Sequence, residues 1–154
     1  MVSEIVLVLM CYLIGAIPFG FLVVRFLRNV DVRDYGSGNI GMTNVLRTTG
    51  IKSGILVLAL DTAKGVMPVF VARTLFSDPC TETLAAIAVL VGHVWPVFLK
   101  FNGGKGVATG MGALCYISPL CGLIAVSVGC ITLLFTRYVS LGSVFGVIAA
   151  LVSM

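Results

Sequence analysis

Long apolar runs separated by short polar stretches constrain this chain more than any other feature. Hydrophobic residues make up 59% of the 154 residues and charged residues only 10%, with a mean hydropathy of +1.15. A soluble domain of this size needs a polar shell that such a composition does not supply. The pattern therefore predicts an all-α, polytopic integral membrane bundle with about five spans or more, some of them re-entrant or interfacial.

The predicted helices follow the apolar runs, which cover residues 2–24, 51–72, 84–98, 111–135 and 140–154. Pro18 predicts a kink in the first run, tolerable in lipid only if the freed carbonyl finds a partner. The third run is shorter than the roughly 20 residues of a span, so a re-entrant or interfacial segment is the alternative there. The length leaves no room for a second domain, and residues 1–154 are expected to form one membrane-embedded domain.

Basic residues orient the predicted helices. Residues 25–50 carry four arginines against two aspartates, and short loops rich in Lys and Arg stay cytoplasmic. The N-terminus is then outside, and alternation places residues 73–82 outside and residues 100–109 inside. The net charge of +4 does not indicate nucleic-acid binding, because the basic residues occur singly among apolar ones. Both polar motifs are thus expected on the cytoplasmic face.

The first polar motif predicts an anion site. Its glycines permit positive φ and let successive backbone N–H groups approach a ligand. Arg47 supplies the planar fork that suits a phosphate, and neutral side chains add further hydrogen bonds. The candidate residues of this motif are Gly36, Ser37, Gly38, Asn39, Gly41, Thr43, Asn44 and Arg47.

A second glycine-rich motif again combines a permissive backbone with one cation. Its candidate phosphate-binding residues are Gly103, Gly104, Lys105, Gly106 and Thr109. Gly106 stands where a nucleotide P-loop needs a hydroxyl residue for magnesium, which argues against an ATPase. Thr109 either caps the following helix or contacts the ligand.

Ionisable residues within the apolar runs leave alternatives open. His93 is either a hydrogen-bonded packing residue or a proton carrier or phosphate donor. Asp61 and Lys64, three residues apart on one helix, most simply neutralise each other, with a supporting role in the site as the alternative. The five cysteines form no Cys-x-x-Cys pair, and neither a metal nor another cofactor is predicted.

Residues 35–47, 92–98 and 101–109 closely resemble the bacterial membrane glycerol-3-phosphate acyltransferases that use acyl phosphate as donor. The resemblance covers essentially the whole chain. It implies transfer of a fatty acyl group from acyl phosphate to glycerol 3-phosphate in the bacterial inner membrane, giving lysophosphatidic acid and phosphate for phospholipid synthesis. The implied partners are the two substrates, membrane lipid and a phosphate acyltransferase that supplies the donor.

The same resemblance suggests roles for the candidate residues. Ser37, Arg47, Lys105 and His93 would be catalytic, with Lys105 and its glycines holding a substrate phosphate. Phe98 stands five positions after His93, so the His-x-x-x-x-Asp signature of other glycerolipid acyltransferases is absent. Either His93 works alone or, as the family implies, a substrate phosphate takes the proton. No base adjoins Ser37 in sequence, so hydrogen bonding is its expected role.

Two departures from the family pattern modify these expectations. Met42 stands where the family usually has alanine, which predicts a narrower pocket. Family members normally continue beyond residues 140–143 to a C-terminal motif containing His, Asn and Glu, whereas this chain stops at Met154. The resemblance therefore predicts a truncated C-terminus and impaired activity.

The alternative function is a membrane transporter or exchanger of phosphorylated small molecules. Such a carrier also uses cationic, glycine-broken helices, but near the midplane and often in two related halves. Here the two motifs differ and are expected at one face. A purely structural membrane subunit would explain the hydropathy but not the two polar loops.

Overall fold

The structure is a computed structural model that describes residues 2–153. Its helices are α1 (Val2–Gly15), α2 (Phe19–Arg28), α3 (Met42–Thr49), α4 (Ile51–Phe76), α5 (Pro79–Val94), α6 (Val107–Ile117), α7 (Pro119–Thr136) and α8 (Val139–Ser153). Two 3-10 turns, Val32–Asp34 and Val97–Leu99, lie in the polar loops, and this described part has no strand. The predicted all-α class is confirmed.

Four segments are long and apolar enough to cross a membrane, and α6 and α8 are shorter apolar helices. The four are Val2–Arg28, Ile51–Phe76, Pro79–Leu99 and Pro119–Thr136. Each has at least 18 residues, within the range of about 17–25 or more that spans a bilayer, whereas the 11 residues of α6 cover only part of the hydrocarbon thickness. The protein is thus an integral membrane bundle in which full spans surround at least one partial one.

The first span is broken at Pro18, and a side chain from α4 repairs the break. Nζ of Lys64 donates a hydrogen bond of 2.8 Å to the carbonyl of Ile17. The same ammonium lies 5.4 Å from the centre of the Phe19 ring. The carbonyl freed by Pro18, that of Ile14, accepts the N–H of Ile17 at 3.2 Å. The kink therefore meets the condition set by the sequence, and Lys64 satisfies a second carbonyl at the break.

The third span begins earlier than the apolar run predicted. Asp78 caps α5, with its carboxylate accepting hydrogen bonds from the backbone N–H and the hydroxyl of Thr81, both at 2.8 Å. These two bonds hold the pKa of the Asp78 carboxyl below its usual value. Glu82, in the first turn, pairs with Arg73 of α4 at 2.7 Å. Residues 79–83 thus belong to α5, and the span extends over Pro79–Leu99.

The prediction of one continuous fourth span over residues 111–135 is wrong. The helix stops at Ser118, which has an extended backbone before Pro119, because proline lacks an N–H and disfavours helical geometry at the preceding residue. A Cβ at Gly122 would lie 2.6 Å from the Cα of Cys115, seven residues earlier. Helices α6 and α7 therefore form a tight hairpin.

The hairpin changes the path of the rest of the chain. Helix α6 runs parallel to α4, since the backbone of Thr109 lies against Gly65 and the Tyr116 ring lies 4.7 Å from the guanidinium of Arg73. Helix α6 therefore ends near the C-terminus of α4, and α7 runs back towards the first polar stretch. The turn at Arg137 consequently lies at the end of the bundle that holds both polar motifs.

Candidate active site

The first polar loop is built around the buried side chain of Asn44 on α3, which is 1% exposed. Its Nδ2 donates to the carbonyl oxygens of Val32, Tyr35 and Asn39 at 2.9–3.0 Å. Its Oδ1 accepts a hydrogen bond of 2.9 Å from the backbone N–H of Ser37. Every polar atom of this amide is bound to the loop backbone, so in the structure Asn44 shapes the loop from inside.

Glycine is required at the turn that faces Asn44. Gly36 and Gly38 have φ of +58° and +70°, a region that side chains with a Cβ rarely adopt. A Cβ at Gly36 would also collide with Oδ1 of Asn44. Past this turn, Oδ1 of Asn39 accepts from the N–H of Gly41 at 2.8 Å, just before α3 begins. These constraints explain the glycine and asparagine spacing of the motif.

A cavity of about 430 Å³ adjoins this loop, and its only charged lining residues are cations. It is lined by Arg28, Val30, Tyr35, Gly36, Arg47 and Thr48. Both arginines are exposed, and within residues 2–153 neither has a hydrogen-bond or ion-pair partner. Two unpaired guanidinium groups beside a glycine turn form an arrangement suited to a phosphate.

Arg28 is the site residue that sequence reasoning missed. The sequence interpretation used it only to orient the helices, although it stands in the last turn of α2 just before the motif. Its position beside the cavity depends on how α2 packs against α3. The nearby carboxylate of Asp31 is bound by Arg33 at 2.6 Å, which lowers the pKa of that carboxyl. Asp31 is therefore not the counter-ion of Arg28.

The second motif packs onto the end of α5. The backbone N–H of Gly104 donates to the carbonyl of His93 at 3.1 Å. A Cβ at Gly103 would collide with that carbonyl, and a Cβ at Gly104 would collide with Nε2 of the His93 ring. Gly106, at φ +75°, then leads into α6. These contacts leave the side chain of Lys105 exposed on a closely packed backbone.

Four buried polar side chains form a cluster at the second motif, which they join through Thr109 and His93. Nδ1 of His93 lies 3.2 Å from Oγ1 of Thr109 and 3.6 Å from Oδ1 of Asp61. Nζ of Lys64 lies 2.8 Å from the same Asp61 oxygen, which confirms the predicted pairing on α4. That oxygen accepts no well-directed hydrogen bond within the described residues. Its interaction with Lys64 is therefore mainly an electrostatic attraction between the two charges. Thr109 contacts His93 and is fully buried.

An apolar contact brings the two motifs together. Leu99, in the 3-10 turn between His93 and the glycines, shares one buried cluster with Val32, Ile40 and Val45 of the first motif. Met42 packs against this same cluster and does not line the cavity. The expectation that Met42 narrows the pocket is therefore wrong, because its side chain points to the apolar core.

The candidate residues divide into three groups. Gly36 and Arg47 line the cavity. Ser37 and Gly38 are exposed on the same turn without being part of its wall, and Lys105 is exposed on the second loop. The remaining ones except Thr43 shape the two loops, either through hydrogen bonds or through close backbone packing; they are Asn39, Gly41, Asn44, His93, Gly103, Gly104, Gly106 and Thr109. Thr43 lies half-buried in the first turn of α3.

We expect Asn44→Asp to disorder the first loop. The substitution keeps the side-chain shape but places a carboxylate against three carbonyl oxygens that now receive N–H donors. Loss of these buried bonds should lower the free energy of unfolding by about 1–3 kcal/mol or more. Chemical denaturation in detergent measures the loss. Thr48→Val serves as the control, since its hydroxyl bonds only to the Asn44 carbonyl one turn earlier on α3, and an equal loss in both variants would contradict the assignment.

Similar proteins match nearly the whole chain in sequence. Residues 5–154 match the family described as Glycerol-3-phosphate acyltransferase. A glycerol-3-phosphate acyltransferase of Thermoanaerobacter sp. (strain X514) is 49% identical over 138 residues, covering 90% of this chain and 69% of that protein. One of Desulforamulus reducens is 45% identical over 148 residues, covering 96% of this chain and 74% of that protein.

Two solved structures have the same fold. Both are crystal structures of PlsY, an integral membrane glycerol 3-phosphate acyltransferase, and each comparison covers 96% of this chain and 74% of that one. The glycerol 3-phosphate form has a TM-score of 0.91 at 43% identity, and the lysophosphatidic acid form 0.89 at 40%. The matched span and these identities extend through both polar motifs and all the membrane helices, and the chain belongs to the glycerol-3-phosphate acyltransferase family.

Proposed function

We propose that this chain transfers a fatty acyl group from acyl phosphate to glycerol 3-phosphate, giving lysophosphatidic acid and phosphate, and that residues 1–154 act as one membrane-embedded acyltransferase domain. The observation that carries the proposal is the cavity lined by unpaired Arg28 and Arg47 beside the turn at Gly36. Both substrates and both products carry phosphate, which is the ligand that such a cavity suits. The solved PlsY forms contain glycerol 3-phosphate or lysophosphatidic acid.

The chemistry needs charge stabilisation more than a protein nucleophile. A hydroxyl oxygen of glycerol 3-phosphate attacks the acyl carbonyl carbon and forms the ester. The bond from that carbon to the phosphate oxygen breaks, and phosphate leaves with the electron pair. Arg47 and Arg28 hold phosphate oxygens by charge-assisted bonds, and Lys105 adds a point charge from the second loop. Glycine backbones let N–H groups reach the same anions.

The proton of the attacking hydroxyl passes to a substrate phosphate in this scheme. His93 is only 4% exposed, and Thr109, Asp61 and Gly104 enclose its ring. A phosphate oxygen is already beside the reacting hydroxyl, so it serves as the base without a protein relay. Ser37, exposed at the turn, contributes a hydrogen bond to substrate rather than a nucleophile.

The proposal is tested with purified protein in detergent, given acyl phosphate and glycerol 3-phosphate. We expect ester formation without any gradient, and none when glycerol replaces glycerol 3-phosphate. A second protein, in which this chain is extended by the segment of a relative beyond the matched part, is assayed in parallel. Absence of product from both proteins would overturn the function. Flux of glycerol 3-phosphate into sealed vesicles without new ester would instead establish the carrier.

We further propose that the chain lies in the bacterial cytoplasmic membrane with its N-terminus outside and both polar motifs at the cytoplasmic face. The basic excess of the first polar stretch supports this orientation. In a variant whose only cysteine is the exposed Cys80, we expect labelling by an impermeant reagent from outside. Single cysteines at Ser37 and Arg137 should be labelled only after the membrane is opened. Labelling of Arg137→Cys from outside would contradict the hairpin of α6 and α7.

A further inference from the structure

We propose that His93 is a positioning residue that holds the turn of Gly103 and Gly104, and with it Lys105, in place for a substrate phosphate, and that Asp61 and Lys64 hold His93 in turn. The proposal rests on the proposed function, because it assigns Lys105 a phosphate ligand. His93 then acts through the loop backbone and does not touch the reacting atoms.

The His93 ring is in direct contact with the turn at Gly104. The Nε2 edge of His93 occupies the space in which a Cβ at Gly104 would stand. The carbonyl of His93 also accepts the N–H of Gly104 at 3.1 Å. The ring and the carbonyl of His93 therefore both contact Gly104 and together restrict its position. Lys105 is the next residue, so any movement of this turn displaces its ammonium.

The Nδ1 side of the His93 ring faces Thr109 and Asp61. Nδ1 of His93 is 3.2 Å from the hydroxyl of Thr109 and 3.6 Å from Asp61. Thr109 lies in the first turn of α6, just after the loop that carries Lys105. His93 thus touches the loop before Lys105 and the helix after it, and its side chain is buried between them.

A buried ion pair on α4 holds the His93 ring. Asp61 and Lys64 are 3% and 2% exposed, and charges buried this deeply are costly unless they are paired. Lys64 also binds the Ile17 carbonyl at the break in the first span. The buried cluster therefore connects the break, the middle of α4 and the glycine turn into one braced unit.

A double-mutant cycle tests the contact. We expect Gly104→Ala to lower the unfolding temperature and to reduce kcat/KM on the order of 100-fold, the effect of a displacement near 1 Å. In a His93→Ala background the same change should cost little more, because removal of the ring makes room for the methyl group. Gly103→Ala is the matched control, since its Cβ would meet the backbone carbonyl of His93 and should cost as much in either background.

His93→Gln separates positioning from proton transfer and folds without a new cavity of the size left by alanine. We expect it to raise the KM of the same substrate whose KM is raised by Lys105→Ala, with an unchanged shape of the pH profile of kcat. A lost limb of that profile at unchanged KM would establish a proton carrier and overturn the proposal. An equal cost of Gly104→Ala in both backgrounds would overturn it as well.

The two proposals fail in different ways. If the wild-type protein forms no ester, the proposed function fails, while the unfolding temperatures of the cycle still report the contact between His93 and Gly104. Calorimetric titration with glycerol 3-phosphate then measures whether the loop that carries Lys105 binds this ligand. Binding that weakens in both Lys105→Ala and His93→Gln supports the positioning role, and binding that weakens in Lys105→Ala alone contradicts it.

Discussion

Arg47→Lys should lower kcat/KM for acyl transfer by about 10- to 100-fold, and Arg47→Ala by on the order of 100- to 1000-fold. The guanidinium lines the cavity without an ion-pair partner among the described residues. Lysine keeps the charge but loses the planar fork that binds two phosphate oxygens at once. Steady-state kinetics in detergent measure the loss. Arg28→Lys should show a smaller loss in the same direction, since Arg28 lines the same cavity.

The matched control for these variants is Arg25→Lys. Arg25 also belongs to the first basic stretch, but its Nη1 bonds only the carbonyl of Asn29 at the end of its own helix, so activity should stay near wild type. Lys105→Ala should weaken phosphate-dependent turnover through loss of one point charge. Full activity in both the Arg47 and the Lys105 variants would show that these cations are not the site.

Asp61→Ala should destabilise the protein by about 3–5 kcal/mol, because it leaves the ammonium of Lys64 buried without a counter-ion. Lys64 is 2% exposed, and its Nζ lies 2.8 Å from the Asp61 carboxylate. Replacing both partners with apolar residues, as in Asp61→Leu with Lys64→Met, should recover much of the loss. The free energy of unfolding from denaturant titration in detergent measures both variants.

The exposed ion pair in the first polar stretch provides the comparison. Arg33 and Asp31 lie 2.6 Å apart, but their side chains are 34% and 24% exposed. Asp31→Ala should therefore cost only about 0–1 kcal/mol, as pairs near solvent do. An equal cost at Asp61 and Asp31 would mean that water reaches the cluster in α4, and the bracing role assigned to that cluster would lose its basis.

Local chemistry explains which features the sequence predicted well. Apolar runs long enough for a bilayer are visible in the sequence without any tertiary information, so the helical membrane class followed from hydropathy alone. The glycines before Arg47 and the Gly-Gly-Lys-Gly turn marked both loops, because positive φ and close backbone approach demand glycine. The pairing of Asp61 with Lys64 followed from their spacing on one helix.

The boundaries that were predicted wrongly involve competition between local signals. Residues 78–83 read as a loop because they are polar, yet Asp78 caps the helix and Glu82 pairs with Arg73. The hydropathy pattern predicted that the fourth span continues across Ser118, because the residues on both sides of Ser118 are apolar. Proline at position 119 outweighs that apolarity, since the missing N–H and the steric restriction on Ser118 act whatever the hydropathy is.

The sequence by itself determined the class of fold, the position of the two glycine-rich loops and the family, because these depend on composition, backbone permissiveness and motif spacing within short stretches. Only the tertiary structure decided that Arg28 joins Arg47 at one cavity, that Lys64 closes the break at Ile17 and that His93 fills the space beside Gly104. Each of these joins residues from different helices. Such contacts depend on how whole helices pack, and no local pattern of residue types encodes the distance between residues on different helices.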